Sequence, residues 1–246
     1  MRSLVRGRYA ARQAADASDI DRAQALRWRA FRPGAGPGRD IDGFDAAAGH
    51  FVVEERASGR LVACWRLLAL SGSAGILDSY AAQFYDLAAL SAYPGRMVEM
   101  GRFCVDPDMR DPDILRVAWA LMTALVDAEK VDMLFGCSSF AGTRPEAYAE
   151  TFALLKDRHI GPARWLPGVK APNVFRFARR LRSRKPDPAV AVRAMPPLLR
   201  TYLRMGGWVS DHAVVDESLG TLHVFTGVEI GRVPAARARV LRALAG

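Results

Sequence analysis

The chain has 246 residues, half of them hydrophobic and a quarter charged, and 35 Lys and Arg against 26 Asp and Glu give a net charge of +9. That length and composition suit a globular protein with a sizeable core and exclude a disordered chain. No stretch approaches the roughly 20 consecutive apolar residues of a spanning helix, and the basic start Met1-Arg2-Ser3-Leu4-Val5-Arg6 has no apolar run behind it, so a cytoplasmic protein is expected.

Ser18 is a good N-cap for a helix over Asp19–Arg32, where Ile20, Ala23, Leu26 and Ala30 recur at helical spacing. The Gly- and Pro-rich stretch Pro33–Gly38 ends it. Phe51–Glu54 and Leu61–Leu68 read as strands joined by a turn closing on Gly59, hence a β-hairpin. A helical piece is expected near Ser79–Leu87, then a strand over Arg96–Val105. Asp113 is placed to cap a helix over Ile114–Glu129, whose Leu115, Ala118, Trp119, Met122 and Leu125 form one apolar face. Val131–Cys137 has the length of a buried strand, and Thr143–Lys156, with Pro145 in its first turn, reads as a helix. Residues 158–194 read as an irregular basic insertion. A helix near Pro197–Met205 and strands at Trp208–Val215 and Thr221–Ile230 complete the chain. This order predicts an α/β protein around a mixed sheet. The absence of GxGxxG after a strand, and of GxxxxGK[ST], argues against a dinucleotide-binding or P-loop fold.

Cys64, Cys104 and Cys137 lie far apart in apolar runs, and His50, His159, His212 and His223 make no metal-ligand spacing, so buried reduced thiols and no metal are expected. Charge is unevenly spread. Residues 158–185 hold nine Arg or Lys and no acid, whereas residues 97–157 carry more acids than bases. An anionic partner is indicated: nucleic acid, anionic lipid or an acidic carrier protein, with a solvated arginine-rich surface as the plain alternative. Arg176, Arg179, Arg180 and Arg182, interleaved with Phe175, Phe177 and Leu181, would form on a helix a basic amphipathic surface suited to a membrane. Too few aromatics accompany the charges for a base-stacking surface, so no nucleic acid is expected.

The segment Val98–Pro107 pairs a carboxylate, Glu99, with a guanidinium, Arg102. Three apart in a regular strand they point to opposite faces, so either a bulge intervenes, with Gly101 as its natural position, or the two do different jobs. Taken alone, such a pair is most often a structural ion pair.

The surroundings change that reading. Leu26-Arg27-Trp28-Arg29-Ala30-Phe31, Asp40-Ile41-Asp42-Gly43-Phe44-Asp45, Trp65-Arg66-Leu67-Leu68 and Glu99-Met100-Gly101-Arg102 are similar in order and spacing to acyl-homoserine-lactone synthases. Those enzymes are GNAT-like and take acyl groups from acyl carrier protein. The stretches Arg102–Asp111, Leu134–Phe140 and Pro196–Trp208 bring the chain closer to ornithine N-alpha-acyltransferases of bacterial ornithine-lipid synthesis. This resemblance runs from about Arg8 to Val228. It implies one GNAT-like domain over residues 1–246 containing the basic insertion 158–194, a mixed central sheet flanked by helices, and C-terminal strands. It also implies transfer of a 3-hydroxy fatty acyl group from acyl carrier protein to the α-amine of ornithine, giving lyso-ornithine lipid. Glutamine as acceptor, or homoserine-lactone synthesis, are the alternatives within the class. A non-catalytic basic membrane-binding module is the alternative outside it.

One departure bears on the donor. Coenzyme A enzymes cradle the pyrophosphate on backbone N–H groups opening the helix after this strand. The corresponding stretch is Arg110-Asp111-Pro112-Asp113-Ile114-Leu115, whose aspartates repel phosphate and whose proline lacks a donor. A 4'-phosphopantetheine arm on an acidic carrier protein is therefore expected, with no bound cofactor. Glu99 is the candidate general base, directly or through a water, with partial burial raising its proton affinity. Backbone N–H groups near Phe103, Cys104 and Val105 are candidate oxyanion donors. Arg102 is the second candidate catalytic residue, placed to hold the acceptor carboxylate or to pair with the loop, and Arg27, Phe31, Asp42, Asp45 and Arg66 either bind the acceptor or order the loop that carries the aspartates. Ser138 and Tyr148 are candidates for protonating the leaving thiolate. Arg176, Arg179, Arg180 and Arg182 are candidates for contact with the carrier protein or the inner face of the cytoplasmic membrane.

Overall fold

The computed structural model describes residues 3–245. In chain order its elements are β1 (Ser3–Arg6), β2 (Tyr9–Gln13), α1 (Ala17–Phe31), β3 (Gly49–Glu55), β4 (Leu61–Ala69), β5 (Tyr85–Asp86) and β6 (Met97–Val105). There follow α2 (Pro112–Ala128), β7 (Met133–Ala141), α3 (Ala149–Arg158), β8 (Gly168–Val169), β9 (Val174–Phe175), α4 (Phe177–Arg180) and α5 (Pro188–Ala194). The last are α6 (Pro197–Arg204), β10 (Trp208–Val209), β11 (Ala213–Asp216), β12 (Thr221–Glu229) and α7 (Ala235–Ala245). They form two compact units. One holds the described residues up to Ala69, Met100–Val131 and those from Ala235 on; the other holds Leu70–Glu99 and Asp132–Pro234. β6 therefore contributes Met97–Glu99 to the second and Met100–Val105 to the first.

The first unit carries strands in the order β1-β2-β3-β4-β6, with antiparallel pairs β1/β2, β2/β3 and β3/β4. The β3–β4 hairpin closes as expected on Gly59, whose φ of +68° favours glycine. α1 packs on β4 and β3, burying Ala23 and Leu26 against Val52, Leu61, Cys64 and Cys104. Its cap is Asp16, not Ser18: the Asp16 carboxylate accepts from the Asp19 N–H at 3.0 Å. α2 likewise starts at Pro112 under an Asp111 cap, two residues before the expected Asp113. In this unit two features escaped the sequence reading: the β1–β2 hairpin, turning at Gly7 (φ +55°), and α7, which packs on α2 and is tied to it by Arg242 and Asp127 at 2.8 and 3.0 Å.

The second unit carries the order β6-β7-β12-β11-β9, with β10 also on β12. Met97–Glu99 of β6 run parallel to Met133–Phe135 of β7, whereas β12 is antiparallel to β7 along its whole length, so the sheet is mixed. Alternation splits its side chains between two layers. Met133, Phe135 and Phe225 pack under Ile76, Ala81, Tyr85, Leu87 and Leu90 of the 70–93 segment. On the other layer Phe140 and Val224 meet Phe152 of α3, Phe177 of α4, Ala191 of α5 and Leu199 of α6. The expected helix near Ser79–Leu87 is instead a series of 3-10 turns (Ala74–Asp78, Ala81–Gln83, Ala88–Ala92) with β5. The helix expected from Thr143 starts as a 3-10 turn, Pro145–Tyr148, and becomes α-helical only at Ala149. Residues 158–194 are not irregular: they hold β8, β9, α4 and α5, and β9 extends the sheet beside β11. The strand expected over Trp208–Val215 breaks into β10 and β11, because Ser210 turns its hydroxyl onto the His212 carbonyl (2.7 Å) and accepts from the Phe225 N–H (3.1 Å).

Candidate active site

In the first unit three arginines and three aspartates are paired with one another. Arg27 donates in a fork to both Asp45 oxygens, 2.8 Å each, and through Nε to Asp40 at 2.9 Å. Arg66 grips Asp42 at 2.5 and 2.7 Å and Asp45 at 2.8 Å. Arg102 pairs with Asp42 at 2.9 Å and Asp40 at 3.0 Å. Formal charge within the set is zero. The Arg27 and Arg66 side chains are 1% and 4% exposed, and Phe31 and Phe44 lie beneath Arg102 and Arg66 at 6.0 and 5.7 Å.

Burial alone would raise the Asp45 and Asp42 carboxyls, but their arginine partners outweigh it and hold both below the usual carboxylate range. For Arg27, burial works against the charge and Asp45 and Asp40 more than restore it. Asp42 and Asp45 are thus engaged with arginines: Asp42 with Arg66 and Arg102, Asp45 with Arg27 and Arg66. Asp40, Gln24 and His50 were not singled out from sequence, yet Gln24 donates to Asp45 at 2.9 Å and the His50 ring meets the Asp45 carbonyl at 2.9 Å.

Backbone geometry sharpens the Glu99–Arg102 problem. The residue with positive φ is Arg102 (+53°), not Gly101. This conformation costs a side-chain-bearing residue about 1–2 kcal/mol and takes the strand out of regular geometry at Arg102. Beyond it Phe103 stacks with Trp65 (5.6 Å) and Trp119 (6.5 Å). The Cys104 sulfur lies 3.6 Å from that of Cys64, and both thiols are free and buried as expected. Hydrogen bonding with Cys64 and burial push the Cys104 thiol well up, which keeps it protonated and unsuited as a nucleophile.

Glu99 belongs to the second unit and is 4% exposed. Its two oxygens accept from the Tyr80 and Ala81 N–H groups at 2.8 Å each, so it caps the 3-10 turn Ala81–Gln83. It stands in register with Phe135, which places Cys137 and Ser139 on its face of β7 and Ser138 on the opposite one. There Ser138 accepts from Thr226 at 2.9 Å. Tyr148 packs with Phe140 on that opposite layer, its hydroxyl donating to the Ala141 carbonyl at 2.8 Å. Neither hydroxyl shares the Glu99 face.

That face carries a buried polar group the sequence reading missed. The Tyr85 hydroxyl meets His223 Nδ1 at 3.1 Å and the His223 carbonyl at 2.8 Å, with the His212 ring 5.2 Å from Tyr85. Burial, helped by His212 and opposed by the Asp216 carboxylate, pushes His223 down to about 4, so it is neutral near pH 7.

The N-terminus of α2 in the first unit is self-capped. Asp111 accepts from the Asp113 N–H and from the Tyr9 hydroxyl, both at 2.9 Å, and Pro112 supplies no donor. The basic segment corrects an expectation. Arg176, Arg179, Arg180 and Arg182 are exposed, but Phe177 is fully buried on Phe152 (5.1 Å), and Phe175 and Leu181 pack against the same core. The short helix α4 turns its apolar side to the core, so Phe175, Phe177 and Leu181 do not accompany the arginines outward. Among the described residues no three His, Cys, Asp or Glu side chains cluster as a metal site, and no helix is long and apolar enough to cross a membrane.

The acetyltransferase (GNAT) domain family matches residues 26–120. An N-acyl amino acid synthase from uncultured soil microbes shares the fold over 94% of this chain and 98% of its own (TM-score 0.55, 12% identity). Fold and family together define an N-acyltransferase of the GNAT class. The chain is 33% identical over 250 residues to the L-ornithine N(alpha)-acyltransferase of Rhizobium meliloti, spanning 94% of this chain and 84% of that one. It is 34% identical over 230 residues to that of Rhodobacter capsulatus, spanning 88% of each. It belongs to the L-ornithine N(alpha)-acyltransferase family.

Proposed function

We propose that this enzyme transfers a 3-hydroxy fatty acyl group from the 4'-phosphopantetheine of acyl carrier protein to the α-amine of L-ornithine, giving lyso-ornithine lipid. The observation that carries the acceptor is identity with relatives bearing that name along nearly the whole chain. The carrier-protein donor draws support from α2. Asp111, Pro112 and Asp113 leave little at its N-terminus for a pyrophosphate, because one N–H is taken by a carboxylate and another is absent.

The acceptor ammonium first gives one proton to solvent; the free amine attacks the thioester carbonyl, Glu99 takes the second proton from the nitrogen as the C–N bond forms, and the tetrahedral intermediate then collapses with cleavage of the C–S bond. The proton held by Glu99 then passes to the departing thiolate, so the carrier leaves as a free thiol. Backbone N–H groups after Arg102 receive the transient oxyanion, and the positive φ there, which takes them out of regular strand geometry, supports that role. Arg27, Arg66, Arg102, Asp42 and Asp45 order the loop.

The test is a mass-spectrometric assay of purified protein with 3-hydroxyacyl carrier protein and a panel of amino acids. Ornithine acylated at its α-amine is expected. Preference for glutamine overturns the acceptor, and equal turnover with acyl coenzyme A overturns the donor.

A further inference from the structure

We propose that Arg176, Arg179, Arg180, Arg182 and Lys185 form a docking surface for an acidic protein, the one carrying the acyl thioester; this rests on the carrier-protein donor proposed above. All five are exposed and, among the described residues, none has an acidic partner. Unmatched arginines of the first unit, such as Arg56 and Arg110, are isolated in the sequence, whereas these five fall within ten residues of one another. Acids close to the basic turn are already engaged. Glu150 takes Arg184 at 3.0 Å and the Asp187 N–H at 2.7 Å, Asp187 caps α5, and Asp157 pairs with Lys156 at 2.8 Å.

The surface is also held in shape. Lys156 donates to the Arg182 and Arg184 carbonyls at 3.3 and 3.1 Å, the Arg184 N–H bonds the Leu181 carbonyl at 2.9 Å, and Phe177 anchors the segment in the core. A fixed array of unmatched cations attracts an acidic surface with little ordering cost on binding. A lipid bilayer fits less well. Peripheral anchoring usually combines charge with an inserted apolar group, and Phe175, Phe177 and Leu181 are turned inward here. Single-stranded nucleic acid would need exposed aromatic faces for base stacking, which the same residues fail to offer.

The test compares wild type with R179E/R180E/R182E and with R179K/R180K/R182K, using acyl carrier protein and a protein-free acyl-pantetheine as donors. Charge reversal is expected to raise KM for the carrier-borne donor about tenfold or more relative to the pantetheine donor, and to weaken its dependence on salt. The lysine variant is expected to stay within about threefold, because point charge suffices at such a rim. An unchanged KM ratio overturns the proposal, as does an equal effect on both donors. Co-sedimentation with phosphatidylglycerol vesicles, lost on reversal while the KM ratio holds, would assign the surface to lipid instead. Anisotropy titration with labelled carrier protein reads docking without turnover, so a wrong acceptor or donor chemistry remains distinguishable from a wrong surface.

Discussion

Replacing Asp45 by Asn removes one carboxylate from a neutral set of three aspartates and three arginines. Asp45 receives three guanidinium hydrogen bonds at 2.8 Å, two from Arg27 and one from Arg66. Breaking a buried ion pair costs about 3–5 kcal/mol, because the surviving charge is left uncompensated. Arg27 keeps Asp40, Arg66 keeps Asp42, and asparagine retains one acceptor oxygen, so about 3 kcal/mol is the expected loss. Urea denaturation followed by tryptophan fluorescence measures it, Trp28 and Trp65 lying in the same unit. With a slope near 2–3 kcal/mol per molar, the midpoint falls by roughly 1 M or more. The pH dependence supplies a second check. Asp45 is depressed in the folded state, so its contribution is complete above the unfolded value of about 4 and is lost as pH falls through the folded one. The gap between wild type and D45N therefore narrows on acidification below about pH 4. A loss under about 1 kcal/mol, or a gap constant from neutral pH downward, refutes the argument that charge pairing holds this loop.

Glu99→Gln is expected to lower kcat by about 100-fold or more, as removal of a general base does, and retention within about threefold eliminates the base role. Arg102→Gly relieves about 1–2 kcal/mol of backbone strain but loses the pairs with Asp40 and Asp42, so a net loss of about 2 kcal/mol is expected on denaturation; a stabilised variant would contradict this. Asp19, hydrogen-bonded by Arg12 and pushed down to about 2 against the opposing effect of burial, contributes about 2 kcal/mol that is present above about pH 4 and lost between there and pH 2. Thermal melts of wild type and Asp19→Asn across that range should converge. Gly161→Ala would place a methyl 2.4 Å from the buried Trp208 ring, and a cost of about 1–3 kcal/mol is expected in the same assay.

Elements with strong local signals were legible, and those held by tertiary contacts were not. The β3–β4 hairpin announces itself through two apolar runs and Gly59, and α1 through its spacing of Ala23 and Leu26. Its cap was misplaced because Asp16 and Ser18 are both capping types. Part of what tells them apart is remote: Asp19 is gripped by Arg12 and by the Ala15 N–H at 2.8 Å, which fixes the turn preceding the helix. α7 has one residue below a tenth exposed, Leu241, and rests on α2 and the Arg242–Asp127 pair, neither of which leaves a periodic trace. Within residues 158–194 the basic composition hid a buried aromatic, because charge density is a property of the exposed positions and Phe177 is not one of them.

At the site, the residue types were readable and their assignments were not. A guanidinium meets an acceptor's carboxylate and a neighbouring aspartate with the same geometry and nearly the same energy. Asp42 and Asp45 beside Arg27 and Arg66 therefore fit substrate binding and loop ordering equally until burial is known. Once Arg27 is 1% exposed and its fork closes on Asp45, loop ordering has a direct observation behind it. The same logic governs the strand kink. Glycine is the cheaper residue at positive φ, which made Gly101 the natural choice. Arg102 takes it instead, and its two ion pairs offset the strain that a side chain adds there. A local preference worth about 1 kcal/mol yields when the alternative would leave a buried guanidinium set short of one member.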